Sequence, residues 1–354
     1  MAMDAIRILG GGISGLAAAI NLKRAGFDVE VHEGKTYCGK HTRDFQFLEN
    51  WTFREGALDF LEKINISTDF YLKPWCSLEI FSPSLKRHVA KSARPFLYLV
   101  KRGQTKDSID RSLEDQAKNQ GVKIFYRSTL DSNEASIIAT GPKRPSFIAT
   151  GTKFRFVHPD RSVVLFDGRF SLKFYSYLIV NDDIGEIVCV NPVGTTDFQT
   201  RLHLVTEAFE RILKVKIEEV EESFFDFVNF DLLQNARIHD QWFIGEAAGF
   251  HDFLAGFGMV YAFRSGYLVA KSIIEGLDFD TLWKKDFSKP LRISSMNRAF
   301  YEKMSNDHFE RIIQMLNSRN FILRRLRGGD DFQIIMKRLY SNAIPFLLRH
   351  LIFK

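Results

Sequence analysis

The stretch Gly10-Gly11-Gly12-Ile13-Ser14-Gly15 constrains this chain more than any other, because it stands between a short apolar run (Ala5, Ile6, Ile8, Leu9) and a small-residue segment from Ser14 to Ala25. The spacing Gly10-x-Gly12-x-x-Gly15 predicts strand, glycine turn and helix. One glycine tightens the turn, one lets the backbone approach a pyrophosphate, and one allows the helix to pack close to the strand. The helix N-terminus, with the N–H groups of Ile13 and Ser14, then favours an anion. Gly26 stops the helix, Phe27 to His32 reads as a second strand, and Glu33-Gly34 ends it. Glu33 lies 18 residues beyond Gly15. A carboxylate there accepts hydrogen bonds from ribose hydroxyls and repels a 2′-phosphate, which predicts FAD or NAD rather than NADP. The alternative, a glycine turn in an α/β domain that holds no nucleotide, fits the flanking elements less well.

At 354 residues, two or three domains are expected, with one interrupted by another. Hydrophobic content of 45% against 26% charged residues is ordinary for a globular protein, while 34 Phe is high and points to broad apolar surfaces or to a compositional bias. The net charge of +6 is concentrated toward the end of the chain, and nothing in it suggests a nucleic-acid partner. Cys38, Cys76 and Cys189 lack paired spacing, which argues against a disulfide framework and against a metal site. The first strand begins too early for a signal peptide, and no apolar run is long enough to span a bilayer. A cytoplasmic location is expected.

Residues 34–50 lose periodicity and gather Tyr37, Cys38, Lys40, His41 and Arg43, which suits a loop over a bound cofactor in which Arg43 neutralises a phosphate. A solvated basic loop is the competing reading. Helices are predicted at 55–64, 108–120, 197–215 and from Gly258 to Glu275, and strands at 75–90, 122–126 and 136–140. Ile137-Ile138-Ala139-Thr140-Gly141 has the form of a strand followed by a small-residue turn beside a cofactor, and Phe147-Ile148-Ala149-Thr150-Gly151 repeats it. The first of the two is favoured as the cofactor neighbour. From 152 to 190 the runs alternate and predict an antiparallel sheet, with Phe170 to Val180 as one strand. The stripe Phe198, Leu202, Val205, Phe209 and Ile212 reads as core. Further on, Gly245-Glu246-Ala247-Ala248-Gly249 and Gly256-Phe257-Gly258-Met259 form a second strand-glycine-helix arrangement expected to close over the same cofactor.

Together with Lys101-Arg102 and Ser265-Gly266, these motifs resemble the flavoproteins of the para-hydroxybenzoate hydroxylase fold, and within them the geranylgeranyl reductase branch. The resemblance covers roughly residues 5–275. It implies FAD as the cofactor, with Gly245, Glu246 and Ala247 near the ribitol, Gly256 to Met259 beside the flavin ring, and Arg102 on the cofactor after the middle strand. Three departures stand out. Glu246 replaces the family's usual Asp, Ile137 to Gly141 replaces an alanine-aspartate-glycine segment, and Tyr175-Ser176-Tyr177 only echoes the prenyl reductases' aromatic signature.

The expected architecture is α/β: a Rossmann-like FAD-binding domain (1–151 and 230–278), interrupted by an α+β antiparallel-sheet substrate domain (152–229), then a helical basic region (279–354), with 75–94 a candidate to join the substrate sheet. The expected activity is reduction of a carbon–carbon double bond in an apolar isoprenoid or lipid substrate walled by Phe170, Phe174, Tyr175 and Tyr177. Core packing of those rings is the competing reading. Cys38, Tyr175 and Tyr177 are weak catalytic candidates, and His41, His239 and His251 weaker ones. With one glycine-rich unit, the electron donor, a nicotinamide nucleotide or a ferredoxin-like protein, docks transiently. A flavin monooxygenase and a non-catalytic flavin-binding membrane accessory or electron carrier are the alternatives. In the tail, Arg324, Arg325, Arg327, Lys337, Arg338, Arg349 and Lys354 flank apolar residues, as an interfacial membrane helix requires, or as a helical cap shows to water.

Overall fold

The computed structural model describes residues 5–40, 44–142, 144–217, 220–317 and 331–341. His41, Arg43, Arg324, Arg325, Arg327, Arg349, Lys354 and the apolar segments after Pro345 lie outside them. The chain divides into two compact units. The described residues of Met1–Lys73, Tyr98–Arg144 and Asn229–Arg292 make the first, and those of Pro74–Leu97, Pro145–Val228 and Ile293–Lys354 the second.

Among the described residues, the first unit holds a six-stranded sheet in the order Arg237–Ile238, Gln241–Phe243, Ile137–Ile138, Ile6–Leu9, Val29–His32, Lys123–Phe125. All of its pairings are parallel except the short hairpin of the first two strands, whose turn holds His239 at φ +54°. The strand Ile6–Leu9 has the strand that follows it in sequence on one side and the much later Ile137–Ile138 on the other. That reversal of strand order opens a crevice at the carboxyl ends of the strands, where ligands bind in open α/β sheets.

The helix Ile13–Arg24 is buried from Ile13 through Leu22, an apolar surface too wide for one neighbour. Its small residues admit the helix Met259–Glu275 at close range: a Cβ on Gly266 would overlap the Ser14 carbonyl oxygen and press on Ala17. Gly276, at φ +66°, ends that second helix in the left-handed conformation. Ser108 caps the helix Ile109–Asn119, within the helix expected at 108–120, by accepting from Arg111 N–H.

The second unit is built on a seven-stranded sheet in the order Val220–Val228, Phe147–Arg155, Ile184–Pro192, Ser176–Asn181, Arg161–Leu165, Ser77–Phe81, Arg87–Lys91. The helix Phe198–Leu213 packs Val205 and Phe209 against Phe154, Leu178 and Ile187 in this unit's core. Some of the Phe excess fills cross-strand glycine gaps. Phe154 stands opposite Gly185, and Phe224 opposite Gly151. In each pair the ring occupies the space a Cβ would take, so ring and glycine depend on each other.

Four expectations are corrected. Residues 34–50 are not all loop: Phe45–Glu49 is a strand, pairing in a three-stranded sheet with Leu97–Lys101. Phe170 to Val180 is not one strand, because Lys173 at φ +57° turns the chain and only Ser176–Asn181 pairs. Phe147 to Gly151 begins the long strand Phe147–Arg155 and therefore belongs with the antiparallel sheet. The helix Phe279–Tyr301 does not stand in a separate C-terminal region, since Phe279, Trp283, Phe287 and Leu291, spaced four apart, enter the first unit's core. Beyond it, Phe332 packs against Phe96 with ring centroids 4.9 Å apart, and Asp331 accepts from Ser92 and from Ala93 N–H.

The two glycine–phenylalanine pairs make a quantitative contrast. Phe154 is wholly buried and has nowhere to swing, whereas Phe224 is half-buried on an edge strand. Gly185→Ala is expected to cost about 1–3 kcal/mol, the usual range for overpacking, and Gly151→Ala distinctly less. Urea denaturation midpoints compared at equal slope would check this.

Candidate functional site

Parallel pairing brings four strand ends to one edge of the first unit's sheet. Leu9 pairs with His32 on one side and Ile138 on the other, and Ile138 with Phe243. The residues that follow these ends are the glycine turn, Glu33, Ala139 to Gly141, and Gly245 to Ala247. The turns are locked together by backbone bonds: Gly10 N–H donates to the His32 carbonyl (2.9 Å), Ala139 N–H to that of Leu9 (2.7 Å), and Ile244 N–H to that of Ile138 (3.0 Å).

The three motif glycines do different physical work. Gly10 sits at φ +108°, and a Cβ there would overlap the Ala139 carbonyl. Gly15 would collide with the Gly10 carbonyl oxygen, so it permits the close approach of helix to strand. Gly12 is the N-cap of the helix, in extended conformation at φ −79°, ψ −177°, and a Cβ on it would meet nothing within 4 Å. Neither backbone strain nor internal packing therefore requires glycine at 12. No side chain caps the first N–H groups of the helix that follows it.

Glu33 stands beside this turn, with one carboxylate oxygen accepting from Gly11 N–H (2.9 Å) and the other from Lys35 N–H (3.0 Å). Those bonds orient the carboxylate at the strand end and leave further lone pairs for hydroxyl donors. Gly34 and Gly141 are open, and a Cβ on either would touch nothing within 4 Å. Gly245, at φ +57°, packs on Ser14, 2.5 Å from its Oγ to where a Cβ would lie, and its N–H donates to Ser265 Oγ (2.9 Å). The second glycine turn is thus seated directly on the first. Glu246 is half-buried; its Oε1 accepts from Asn229 N–H (3.3 Å) and lies 3.9 Å from His251 Nδ1. Asp252 holds the chain's path through Gly256-Phe257-Gly258, exchanging backbone bonds with Phe257 and Gly256. Phe257 meets Trp51 edge-on at 5.2 Å.

Two expected site residues are occupied otherwise. Arg102 directs Nε and Nη2 to the two oxygens of buried Asp110 (2.8 and 2.9 Å), and Asp110 in turn accepts from Gly103 N–H and Lys40 N–H. Arg102 therefore braces the loop after the second strand. Cys38 is fully buried, and a Cβ on Gly11 would come 2.5 Å from its Sγ. Burial, and then the charges of Glu114 and Glu33, push its thiol well above the usual range. A thiol held neutral beneath the glycine turn packs that turn and is a poor proton donor. In the second unit, Tyr175 stacks on Phe174 (4.8 Å) and lies 6.2 Å from Tyr177, while Tyr301 donates to the Phe174 carbonyl (2.7 Å). Phe170 and Phe174 are buried, and the two tyrosines are half-buried.

The sequence reading missed a buried polar cluster in the first unit. Glu49, at the end of the strand Phe45–Glu49, is 2% exposed, and neither carboxyl oxygen has a hydrogen-bond partner among the described residues. The same holds for the Tyr261 hydroxyl. Burial and, less, the charge of Asp252 raise Glu49 to about 8, against its own backbone N–H and the charge of Arg264. The available signal was the acidic residue closing Phe45-Gln46-Phe47-Leu48-Glu49, an apolar run read as loop.

The comparisons with known proteins agree with this geometry. The family model for the NAD(P)-binding Rossmann-like domain matches residues 8–65. No curated protein sequence matches the chain. In fold, the chain is similar to a geranylgeranyl bacteriochlorophyll reductase-like protein from Thermoplasma acidophilum, with TM-score 0.77 and 15% identity over 98% of both chains. It is also similar to a flavoprotein/dehydrogenase from Cytophaga hutchinsonii (0.68, 14% identity, over 98% of this chain and 96% of the other). A third similar structure is p-nitrophenol 4-monooxygenase from Pseudomonas putida (0.67, 13% identity, over 97% and 99%). The fold class is thus that of the Rossmann-type flavoproteins that carry an antiparallel-sheet unit.

Glu49 yields a pH prediction with a definite sign. Its folded value, about 8, lies above the ordinary 4.5, so the folded state holds a proton that the unfolded chain releases. Its contribution to stability is complete below about 4.5 and is lost as pH rises through about 8. Glu49→Gln is expected to remove this decline, gaining on the order of 5 kcal/mol over the unaltered protein at pH 9. Chemical denaturation of both proteins from pH 5 to 9 would measure it.

Proposed function

We propose that this protein is an FAD-dependent oxidoreductase that reduces a carbon–carbon double bond of an apolar, isoprenoid or lipid, substrate. The observation that supports the flavin assignment is Gly12: an N-cap that neither strain nor packing requires to be glycine, beside the Glu33 carboxylate. In this reading the N–H groups of Ile13, Ser14 and Gly15 hold the pyrophosphate and Glu33 accepts from the adenosine ribose. Ala139 to Gly141 and Gly245 to Ala247 run beside the ribitol, and Gly256 to Met259 seat the ring. When bound, the flavin supplies hydride chemistry, and the protein's part is to position substrate and exclude water.

Reduction of a double bond is supported by the resemblance to the reductase branch and by the similarity in fold to the Thermoplasma protein. A monooxygenase is the second reading, favoured by the comparable similarity to the p-nitrophenol enzyme. Anaerobic reduction followed by mixing with oxygen separates them, since a monooxygenase gives hydroxylated product or prompt peroxide, whereas a reductase reoxidises slowly, releasing peroxide only at that slow rate and no hydroxylated product. The electron donor docks transiently in this proposal. For the C-terminal region, the packing of Phe332 on Phe96 and the burial of Tyr340 support a cap formed by the helix Phe332–Ser341. Co-sedimentation with anionic liposomes, lost in high salt, would instead support membrane contact.

Two variants test the cofactor site. Because its Cβ enters open space, Gly12→Val is expected to keep the thermal midpoint of the flavin-free protein while abolishing the flavin absorption of the purified chain. Glu33→Ala is expected to weaken flavin binding by about 1–3 kcal/mol through loss of buried hydrogen bonds, read by titration of the apoprotein.

A further inference from the structure

The helix Phe279–Tyr301 turns one face inward and leaves a charged one outside. Phe279, Trp283, Phe287 and Leu291 are at most 3% exposed, within the first unit's core. Lys285, Lys289 and Arg292 are exposed, and their spacing of four and three residues sets them on one face, over about 10 Å of the axis. Among the described residues, no ion pair and no side-chain hydrogen bond engages any of the three. The carboxylates of the same stretch are used elsewhere. Asp280 accepts from Ala236 N–H (2.7 Å) and Trp283 Nε1–H (2.7 Å), and Asp286 accepts from Arg264 (3.0 Å).

The fold gains no stability from this arrangement. Like charges three and four residues apart repel and weaken a helix. The macrodipole does not offset that cost, because its pull fades within the last turn and Arg292 lies more than two turns before Tyr301. An anionic surface brought to the stripe would neutralise it. A helix that lies on a membrane shows large apolar side chains beside its cations. Here Phe279, Trp283, Phe287 and Leu291 are committed to the core, so the stripe suits an acidic protein rather than a bilayer.

We propose that Lys285, Lys289 and Arg292 form the docking surface for an acidic electron-carrier protein that reduces the flavin. This rests on the reading that residues 245–259 lie along the flavin, and it adds the donor's class and its landing place. The helix face opposite the stripe packs on that segment. Phe250, which follows Gly249, meets Trp283 and Phe287 with centroids 4.9 Å away in each case, and Tyr261, in the first turn after Gly258, meets Phe287 at 5.7 Å. One helix thus stands between the docked carrier and the segment. Each docking delivers one electron, so two reduced carriers are oxidised for each flavin fully reduced, and the protons come from water. Cations on the docking face raise the encounter rate with an acidic partner, and salt screens that gain.

The experiment follows flavin bleaching in the anaerobic holoprotein by stopped flow. The probe is an acidic plant-type [2Fe–2S] ferredoxin, reduced beforehand and freed of reductant, and dithionite serves as a donor that needs no docking. The unaltered chain is compared with a triple variant, Lys285→Gln with Lys289→Gln and Arg292→Gln, and with a control of equal net charge, Arg24→Gln with Arg155→Gln and Lys303→Gln, exposed cations elsewhere. Reduction by ferredoxin is expected to slow roughly tenfold in the triple variant at low salt, to lose its salt dependence there, and to stay near the unaltered rate in the control. Calorimetric titration with oxidised ferredoxin reads docking without electron transfer, and affinity is expected to fall in the triple variant alone. Dithionite is expected to bleach all three proteins alike. The proposal is overturned if rate and affinity in the triple variant match the unaltered protein, if the control loses as much, or if ferredoxin fails to reduce a protein that dithionite bleaches. Loss of anionic-vesicle binding in the triple variant, with transfer unchanged, overturns it in favour of a lipid surface. If dithionite finds no flavin to bleach in the unaltered protein, the reading of the flavin site fails, and this proposal with it.

Discussion

Close backbone approach is the constraint on which the first unit depends. At Gly10 the chain touches the Ala139 carbonyl, at Gly15 the helix touches the Gly10 carbonyl, and at Gly266 a second helix touches Ser14. A single methyl group at any of these points would push strand from strand or helix from helix, because the atoms met are backbone and cannot turn aside. The turns at the carboxyl edge of the sheet are held in register by these contacts, and so are the N–H groups left unsatisfied at the start of the helix. Gly12 is different in kind. It closes no internal contact.

Around that edge the protein spends its charges on bracing. Arg102 and Asp110 fasten the loop that follows Glu33, and Lys40 reaches Asp44 at 2.6 Å. Buried or nearly buried pairs of this kind contribute little net stability, since desolvation offsets much of their attraction, but they orient what they join. Cys38 belongs to the same support. A thiol with no exposure, set against the glycine turn, serves through its volume and not through its reactivity.

The second unit follows a different rule, in which aromatic rings stand over glycines on neighbouring strands. Phe154 over Gly185 and Phe224 over Gly151 connect three adjacent strands through alternating gaps and rings. The cluster of Phe166, Tyr175, Tyr301 and Phe309 continues this packing, with centroid separations between 5.2 and 6.3 Å. Such a sheet tolerates many aromatic residues because each has a defined recess. That accounts for part of a composition that looked, in the sequence, like either apolar surface or bias.

What the sequence determined by itself was the local chemistry. The glycine spacing, the acidic residue after the second strand, the Ser108 cap and the helical stripe of Phe198–Leu213 depend on neighbours within a few turns, and all are legible in one dimension. The second glycine segment at 245 to 258 was legible as a motif. Its seat on Ser14 was not, since that contact joins residues more than two hundred positions apart. Tertiary structure alone decided whether a polar side chain was exposed, paired or isolated. Arg102 is, by the family resemblance, a basic residue on the cofactor, and folding sets the buried Asp110 against its guanidinium. Glu49 reads as one more charge near a loop, and becomes buried because the strand ending at it packs against the helix Met259–Glu275, more than two hundred positions away. Charge state is set by the groups that surround a side chain in space, and those groups come from segments that no local pattern connects.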